Sequence, residues 1–288
     1  MDKKINEIIK NKKDFTISFE VFPPQKSKDE NLELIFDTIK KLKTQNPDFI
    51  SVTFGTGGKN KNRAVKIAEF IEKQKIVALS HLTCLGYKKT EVKNILDELN
   101  DKGVSNILAL RGDIPNNDIK LIEESEFKYS KDLIKQIKSD NRFCIGAAVY
   151  PEGHTECKNL NSNVEFTRQK INEGADFFIS QLFFDNKSLY KFQELLAKQN
   201  LEPIILPGIM PVLRANQINR IIDLTGTVVP NSLRNILDKY SDNDLDMEKA
   251  GIEFAVNQIN DLMKNGVKGI HLYTMNKAEQ SIKILNSL

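Results

Sequence analysis

The sequence predicts an α/β protein folded as a single (β/α)8 barrel. Eight short apolar stretches, near 15–22, 48–54, 76–82, 104–110, 142–149, 176–184, 202–207 and 268–274, read as strands. They recur at roughly the length of a βα unit, about 30 residues, and segments of helical periodicity lie between them without a linker-like break. Polar residues stand where the apolar stretches end, the face on which a parallel barrel gathers its functional side chains. A doubly wound sheet would more often show about five or six strands and a Gly-rich first turn.

The first segment, Met1-Asp2-Lys3-Lys4-Ile5-Asn6-Glu7-Ile8-Ile9, spaces its isoleucines like a short amphipathic helix and lacks the apolar core of a signal peptide. Phe15 to Phe22 follow as a strand rich in β-branched and aromatic residues, ended by Pro23-Pro24. Leu32, Ile35, Phe36, Ile39 and Leu42 make one apolar helix face, and Val92, Ile95, Leu96 and Leu99 make another. Later helices fall near 129–139, 162–173, 187–199, 215–225 and 247–265, and Gly174 marks one helix stop. An extra helix near 231–240 and the run Ser241-Asp242-Asn243-Asp244-Leu245-Asp246 read as an insertion before the eighth helix. Too little chain follows for a second domain, so residues 1–288 are expected to form one barrel domain with an N-terminal helix.

The 288 residues are 40% hydrophobic and 28% charged, an ordinary globular composition. Lys and Arg number 42 against 39 Asp and Glu, and the charges interleave, which argues against nucleic acid as a partner. No run is long enough to span a membrane, so a cytoplasmic location is expected. Cys84, Cys144 and Cys157 are too few and too scattered for a disulfide framework or a paired-cysteine metal site. His81, His154 and His271 match no metal-ligand spacing, and no metal is expected.

Glu20 is the informative residue. It sits in an apolar strand, where an unpaired buried carboxylate escapes its desolvation cost by holding a proton and so becomes a general acid near neutral pH. The alternative is that it points to solvent or meets a lysine. Thr53, His81, Arg111 with Asp113, Tyr150 with His154, Gln181 and Tyr273 also fall at or just beyond strand ends, and together they are hard to explain as ordinary surface. Gly55-Thr56-Gly57-Gly58-Lys59 either lets a ligand approach the backbone or is simply a flexible loop. No GxGxxG follows the first strand and no GxxxxGK[ST] occurs. Lys88 and Lys268 read as solvated loop lysines rather than Schiff-base lysines, and Ser51 and Ser180 lack the glycine elbow of a serine hydrolase.

Eight segments in order, Phe19-Glu20-Val21-Phe22-Pro23-Pro24, Ser51-Val52-Thr53-Phe54-Gly55, His81-Leu82-Thr83-Cys84, Leu110-Arg111-Gly112-Asp113, Tyr150-Pro151-Glu152-Gly153-His154, Gln181-Leu182-Phe183-Phe184-Asp185, Pro207-Gly208-Ile209-Met210-Pro211 and His271-Leu272-Tyr273-Thr274-Met275-Asn276, resemble the methylenetetrahydrofolate reductase family. The likeness runs from about residue 15 to 285, and the chain is similar to the short bacterial form. It implies a (β/α)8 barrel that binds FAD without a Rossmann motif and reduces 5,10-methylenetetrahydrofolate to 5-methyltetrahydrofolate with NADH or NADPH, feeding methionine synthesis. Family members are commonly homo-oligomers, and this chain is expected to be one.

By this resemblance Glu20 is the general acid that protonates N10 of the folate, opening the ring to an iminium that takes a hydride from reduced flavin. Asp113 touches flavin and pterin and stabilises the cation. The flavin positions carried over are Thr53, Phe54, Thr56, His81, Arg111, Gly112, Asp113, Ser130, Tyr150, His154, Cys157, Asn163 and Lys170, with Arg111 and Lys170 suited to the pyrophosphate. Folate and nicotinamide fall to Glu20, Asp113, Gln181, Gln217, Tyr273 and Lys277. A site shared by two substrates implies ping-pong turnover. Asn163 departs from the family's Asp, Lys277 from its Arg and Ile221 from an aromatic, and Phe166 and Gln169 replace polar or basic neighbours of Asn163. The rival readings are a flavin barrel coupled to a ferredoxin or iron–sulfur partner and a non-catalytic folate-binding barrel.

Overall fold

In the computed structural model, which describes residues 4–24, 30–54, 61–113, 123 and 125–288, helices and strands alternate. Helix α1 (Ile5–Asn11) leads into β1 (Thr16–Val21), α2 (Glu30–Lys43), β2 (Phe49–Val52), α3 (Lys61–Lys73), β3 (Val77–Thr83), α4 (Lys89–Asp101) and β4 (Asn106–Leu110). The second half runs α5 (Ser130–Asp140), β5 (Cys144–Val149), α6 (Leu160–Glu173), β6 (Phe177–Ser180), α7 (Asn186–Ala197), β7 (Ile205–Leu206) and β8 (Gly208–Ile209). It continues with α8 (Gln217–Thr225), α9 (Asn231–Lys239), α10 (Asp244–Lys264), β9 (Gly269–Tyr273) and α11 (Ala278–Leu285).

Among the described residues these nine strands pair in parallel, in the order β7-β6-β5-β4-β3-β2-β1-β9-β8. The two ends of that order are halves of one strand position. β7 pairs with β6, β8 pairs with β9, and only Pro207 separates them, so the sheet closes. Pro207 has no N–H to give the ladder, but its carbonyl accepts from His271 N at 2.8 Å. One residue on, Gly208 N donates to Ser180 Oγ at 2.9 Å. The strand expected over 202–207 therefore starts later and continues past its proline. The expected insertion over 231–246 is helix α9 and a short turn, but its last residues, Asp244 to Asp246, already form the first turn of α10. That helix, expected near 247–265, precedes β9 and is followed by a further helix, α11.

Alternation along each strand divides the residues into two sets. Outward side chains such as Phe19, Val21, Ile50 and Val52 are fully buried against the helices. Inward side chains from the N-terminal half of the barrel, including Phe49, Leu79, Leu108, Phe177 and Leu206, form a second apolar cluster that also contains Ile5 and Ile9 of α1. Helix α1 is thus a stopper, tied by Ile5 N to Asn106 Oδ1 at 2.9 Å and by Lys12 to Asp48 at 2.6 Å. With one end filled by hydrocarbon, where Asn106 is polar but engaged by Ile5 N, the polar inward positions that face open space lie at the other.

Candidate active site

Glu20 is an inward residue near the end of β1, in register with Ser51 on one side and Tyr273 on the other. Its neighbours Phe19 and Val21 are fully buried on the opposite face, so the strand has no freedom to turn the carboxyl outward. The side chain keeps 18% exposure, and no lysine or arginine pairs with it among the described residues. Burial raises its pKa from 4.5 to about 8, which leaves a proton on it at neutral pH. The solvated and lysine-paired alternatives are not what the fold adopts.

Two imidazoles lie close to that carboxyl. His81 Nε2 lies 3.5 Å from Glu20 Oε2 and His271 Nε2 lies 4.0 Å away. Burial lowers the pKa of both rings from 6.5 to about 3, so both are neutral. The hydrogen bonds set the tautomer of His271. Ser18 Oγ donates to Ile270 O at 2.9 Å, which leaves it to accept from His271 Nδ1–H at 2.8 Å. His271 Nε2 then carries a lone pair and accepts from Ser51 Oγ at 3.2 Å. His81 Nε2 is buried without a hydrogen-bond partner among the described residues. A carboxyl lined by neutral acceptors is better served as a donor than as an anion.

Around Glu20 opens a cavity of about 550 Å³ at the C-terminal ends of the strands, lined by Thr53, Phe54, His81, Arg111, Gly112, Asp113, Tyr150, His154, Gln181 and Tyr273. Leu224 and Thr225 of α8 border it, and Leu224 is 69% exposed. Tyr273 reaches across the break in the seventh strand to donate to Ser180 O at 2.8 Å. It can lie there because Gly208 has no side chain: a Cβ would sit 2.5 Å from the tyrosine ring and 2.3 Å from Ser180 O.

A second cavity, of about 440 Å³, shares Arg111, Tyr150, His154 and Glu156 with the first and extends between α5 and α6, where Ser130, Cys157, Asn163 and Lys170 line it. Lys170 Nζ donates to Ala148 O at 2.8 Å and lies 5.7 Å from the Tyr150 ring centroid. No carboxylate pairs with it among the described residues, and burial lowers its pKa to about 8. Arg111 is held by two hydrogen bonds from its guanidinium to Glu156, at 2.8 and 2.5 Å. A desolvated lysine beside an arginine at a long cavity suits an anionic group such as a pyrophosphate. Asn163 spends its amide within the loop below, accepting from His154 N at 3.3 Å and donating to Cys157 O at 2.7 Å.

The structure therefore gathers all the sequence-derived positions into these two joined cavities except three. Thr56 lies outside the described residues. Gln217 is at the start of α8 and lines neither cavity. Lys277 precedes α11 and lines a separate groove against α2. Sequence reasoning missed Ser18 and His271 as partners in the network under Glu20, together with Glu156. The signal for the first pair was present: Ser18 with Glu20, Ser51 with Thr53, and His271 with Tyr273 are polar residues two apart on inward strand faces.

The family model described as methylenetetrahydrofolate reductase matches residues 4–288. The chain belongs to the methylenetetrahydrofolate reductase family. It is 33% identical over 274 residues to 5,10-methylenetetrahydrofolate reductase of Pectobacterium carotovorum subsp. carotovorum, covering 94% of this chain and 89% of that one. With the Escherichia coli (strain K12) protein of the same description it shares 31% over 273 residues, or 94% and 90% of the two chains. Against methylenetetrahydrofolate reductase (NADH) 1 of Arabidopsis thaliana, identity is 30% and only 48% of the plant chain is covered. The fold also matches a Clostridium thermocellum protein described as binding two copies of 5-methyl-5,6,7,8-tetrahydrofolic acid, with a TM-score of 0.66, 14% identity and coverage of 98% and 97%. Family membership makes the chain an oxidoreductase acting on methylenetetrahydrofolate.

Proposed function

We propose that the chain reduces 5,10-methylenetetrahydrofolate to 5-methyltetrahydrofolate with electrons from NADH or NADPH, by ping-pong turnover through FAD, in the supply of methyl groups for methionine. The observation that carries this reading is a buried carboxyl, its pKa raised to about 8 by burial, at the barrel mouth beside a cavity whose buried lysine has no carboxylate partner among the described residues. FAD, when bound, supplies the two-electron relay between nicotinamide and folate.

Glu20 then delivers its proton to N10 of the folate, and the apolar strand around it raises the pKa that makes this possible. Asp113, exposed at the cavity edge, provides negative charge for the cation formed on ring opening. Lys170 and Arg111 hold the pyrophosphate, and Thr53, Phe54, Thr56, His81, Gly112, Ser130, Tyr150, His154, Cys157 and Asn163 complete the cofactor site. Gln181 and Tyr273 bind whichever substrate occupies the mouth, while for Gln217 and Lys277, which line neither cavity, a folate contact rests on the family resemblance alone. On the same reading residues 1–288 form one flavin- and folate-binding domain of a cytoplasmic homo-oligomer.

Purified protein should carry a visible flavin spectrum that NADH or NADPH bleaches and methylenetetrahydrofolate restores. Failure of both nucleotides to bleach a bound flavin would favour the partner-coupled enzyme, and a chain that binds folate without turnover would favour the binding barrel.

A further inference from the structure

Glu152 stands in the loop after β5, two residues before His154, and lines neither cavity of the site. Its carboxylate nevertheless makes three hydrogen bonds to two distant segments. Oε1 accepts from Ser188 Oγ of α7 at 3.1 Å, while Oε2 accepts from Thr227 Oγ1 at 2.8 Å and from Val228 N at 2.9 Å. No cation pairs with it among the described residues, so hydrogen-bond donors alone answer its charge. Thr227 and Val228 follow directly on α8, the helix that borders the barrel mouth. A second tie joins the same two segments, from Lys158 Nζ to Gly226 O at 3.0 Å.

The loop 150–158 is itself rigid. Gly153 N bonds Tyr150 O at 3.0 Å, Cys157 N bonds His154 O at 2.9 Å, and Asn163 fastens it to α6. One face of this loop presents His154, Glu156 and Cys157 to the cofactor cavity. The other grips the C-terminus of α8, whose Leu224 and Thr225 border the cavity around Glu20. Packing holds part of this segment, with Thr227 and Val229 buried and Ile221 and Ile222 resting against the cluster that contains Val229. Leu224 and Val228, however, are 69% and 61% exposed and add little, so the hydrogen bonds to Glu152 fix the turn that joins them.

We infer that Glu152 is a positioning residue that sets α8 over the barrel mouth, and thereby sets the affinity for folate without taking part in the chemistry. The inference rests on the proposed function for the identity of the ligand, but the grip itself does not. Truncation removes all three acceptor contacts. An amide in place of the carboxylate keeps an oxygen for Thr227 and Val228 and turns its NH2 toward the Ser188 hydroxyl, which can accept.

The test compares the parent with Glu152→Ala and Glu152→Gln, all flavin-loaded. Amide hydrogen exchange over 222–228 should quicken at least tenfold in Glu152→Ala and stay within about threefold of the parent in Glu152→Gln, with strand amides unchanged in both. The Kd for 5-methyltetrahydrofolate, read from the flavin absorbance, should rise about tenfold in Glu152→Ala, and KM should rise with it while kcat stays within about twofold. Unchanged exchange over 222–228 in Glu152→Ala overturns the grip. Faster exchange with unchanged folate Kd and KM overturns the positioning role. A parent that exchanges as predicted but neither binds folate nor turns it over leaves the grip standing and refutes the proposed function instead.

Discussion

Replacing Glu20 by glutamine tests the central electrostatic claim without relying on turnover. In the folded chain the carboxyl has a pKa of about 8, against 4.5 for the unperturbed group. That difference is ~5 kcal/mol between the two protonation states. Its sign follows from which state holds the proton. Below pH ~4.5 both folded and unfolded chains are protonated at this position, and the contribution to stability is fully present. As pH rises, the unfolded chain ionises while the folded chain still carries the proton, so stability falls and the loss is complete above pH ~8. Glutamine does not titrate, so the stability of the parent minus that of Glu20→Gln, measured by urea unfolding of the flavin-free proteins, should fall by about 3–5 kcal/mol between pH 5 and pH 9. The same shift leaves roughly nine-tenths of the carboxyl protonated at pH 7, where an unperturbed glutamate would be well under 1% protonated. Folate reduction by prereduced protein should therefore decline about tenfold per pH unit above 8 and drop by ~10²–10⁴ in the variant. A stability difference that stays constant with pH would refute the burial argument, and a variant reducing folate at the parent rate would refute the role.

Lys170→Met should weaken FAD binding by about 10- to 100-fold, the usual size of a lost charged hydrogen bond, as read by flavin fluorescence titration. Parent affinity should fall as pH rises through about 8, where the ligand-free lysine loses its proton, and the variant should lack that dependence. A Gly208→Ala chain would place its methyl 2.3 Å from Ser180 O, a backbone atom that cannot yield cheaply. Overpacking of this kind costs ~1–3 kcal/mol, and a melting temperature within about 1 °C of the parent would show that the seventh strand relaxes more easily than its contacts imply.

Much of this was legible in the chain because the barrel repeats one physical pattern. A run of β-branched and aromatic residues followed by a polar one marks a buried strand reaching the mouth, and Glu20, His81, Arg111 and Tyr273 were found that way. The break at Pro207 was not, since a proline in an apolar run reads as an end, whereas here the ladder resumes on the other side through Gly208. Ser18, Ser51 and His271 were overlooked for a different reason. Each was weighed as a nucleophile or ligand, or passed over, when their strand register makes them a hydrogen-bonded set beneath one carboxyl. Glu152 and Glu156 lie on a loop, where no periodicity says which way a side chain points, and only the closed turn around Gly153 reveals that they serve opposite sides.

The stopper helix has a consequence for how Glu20 is served between reactions. Ile5 and Ile9, with the ring of apolar side chains above them, seal one end of the barrel against water. Among the described residues Glu20 consequently meets solvent through the mouth, the opening that on the proposed function also admits substrate. On that function whatever fills the mouth would also shut off resupply, so a spent carboxylate would be recharged when the guest leaves and the next guest would meet an acid already loaded.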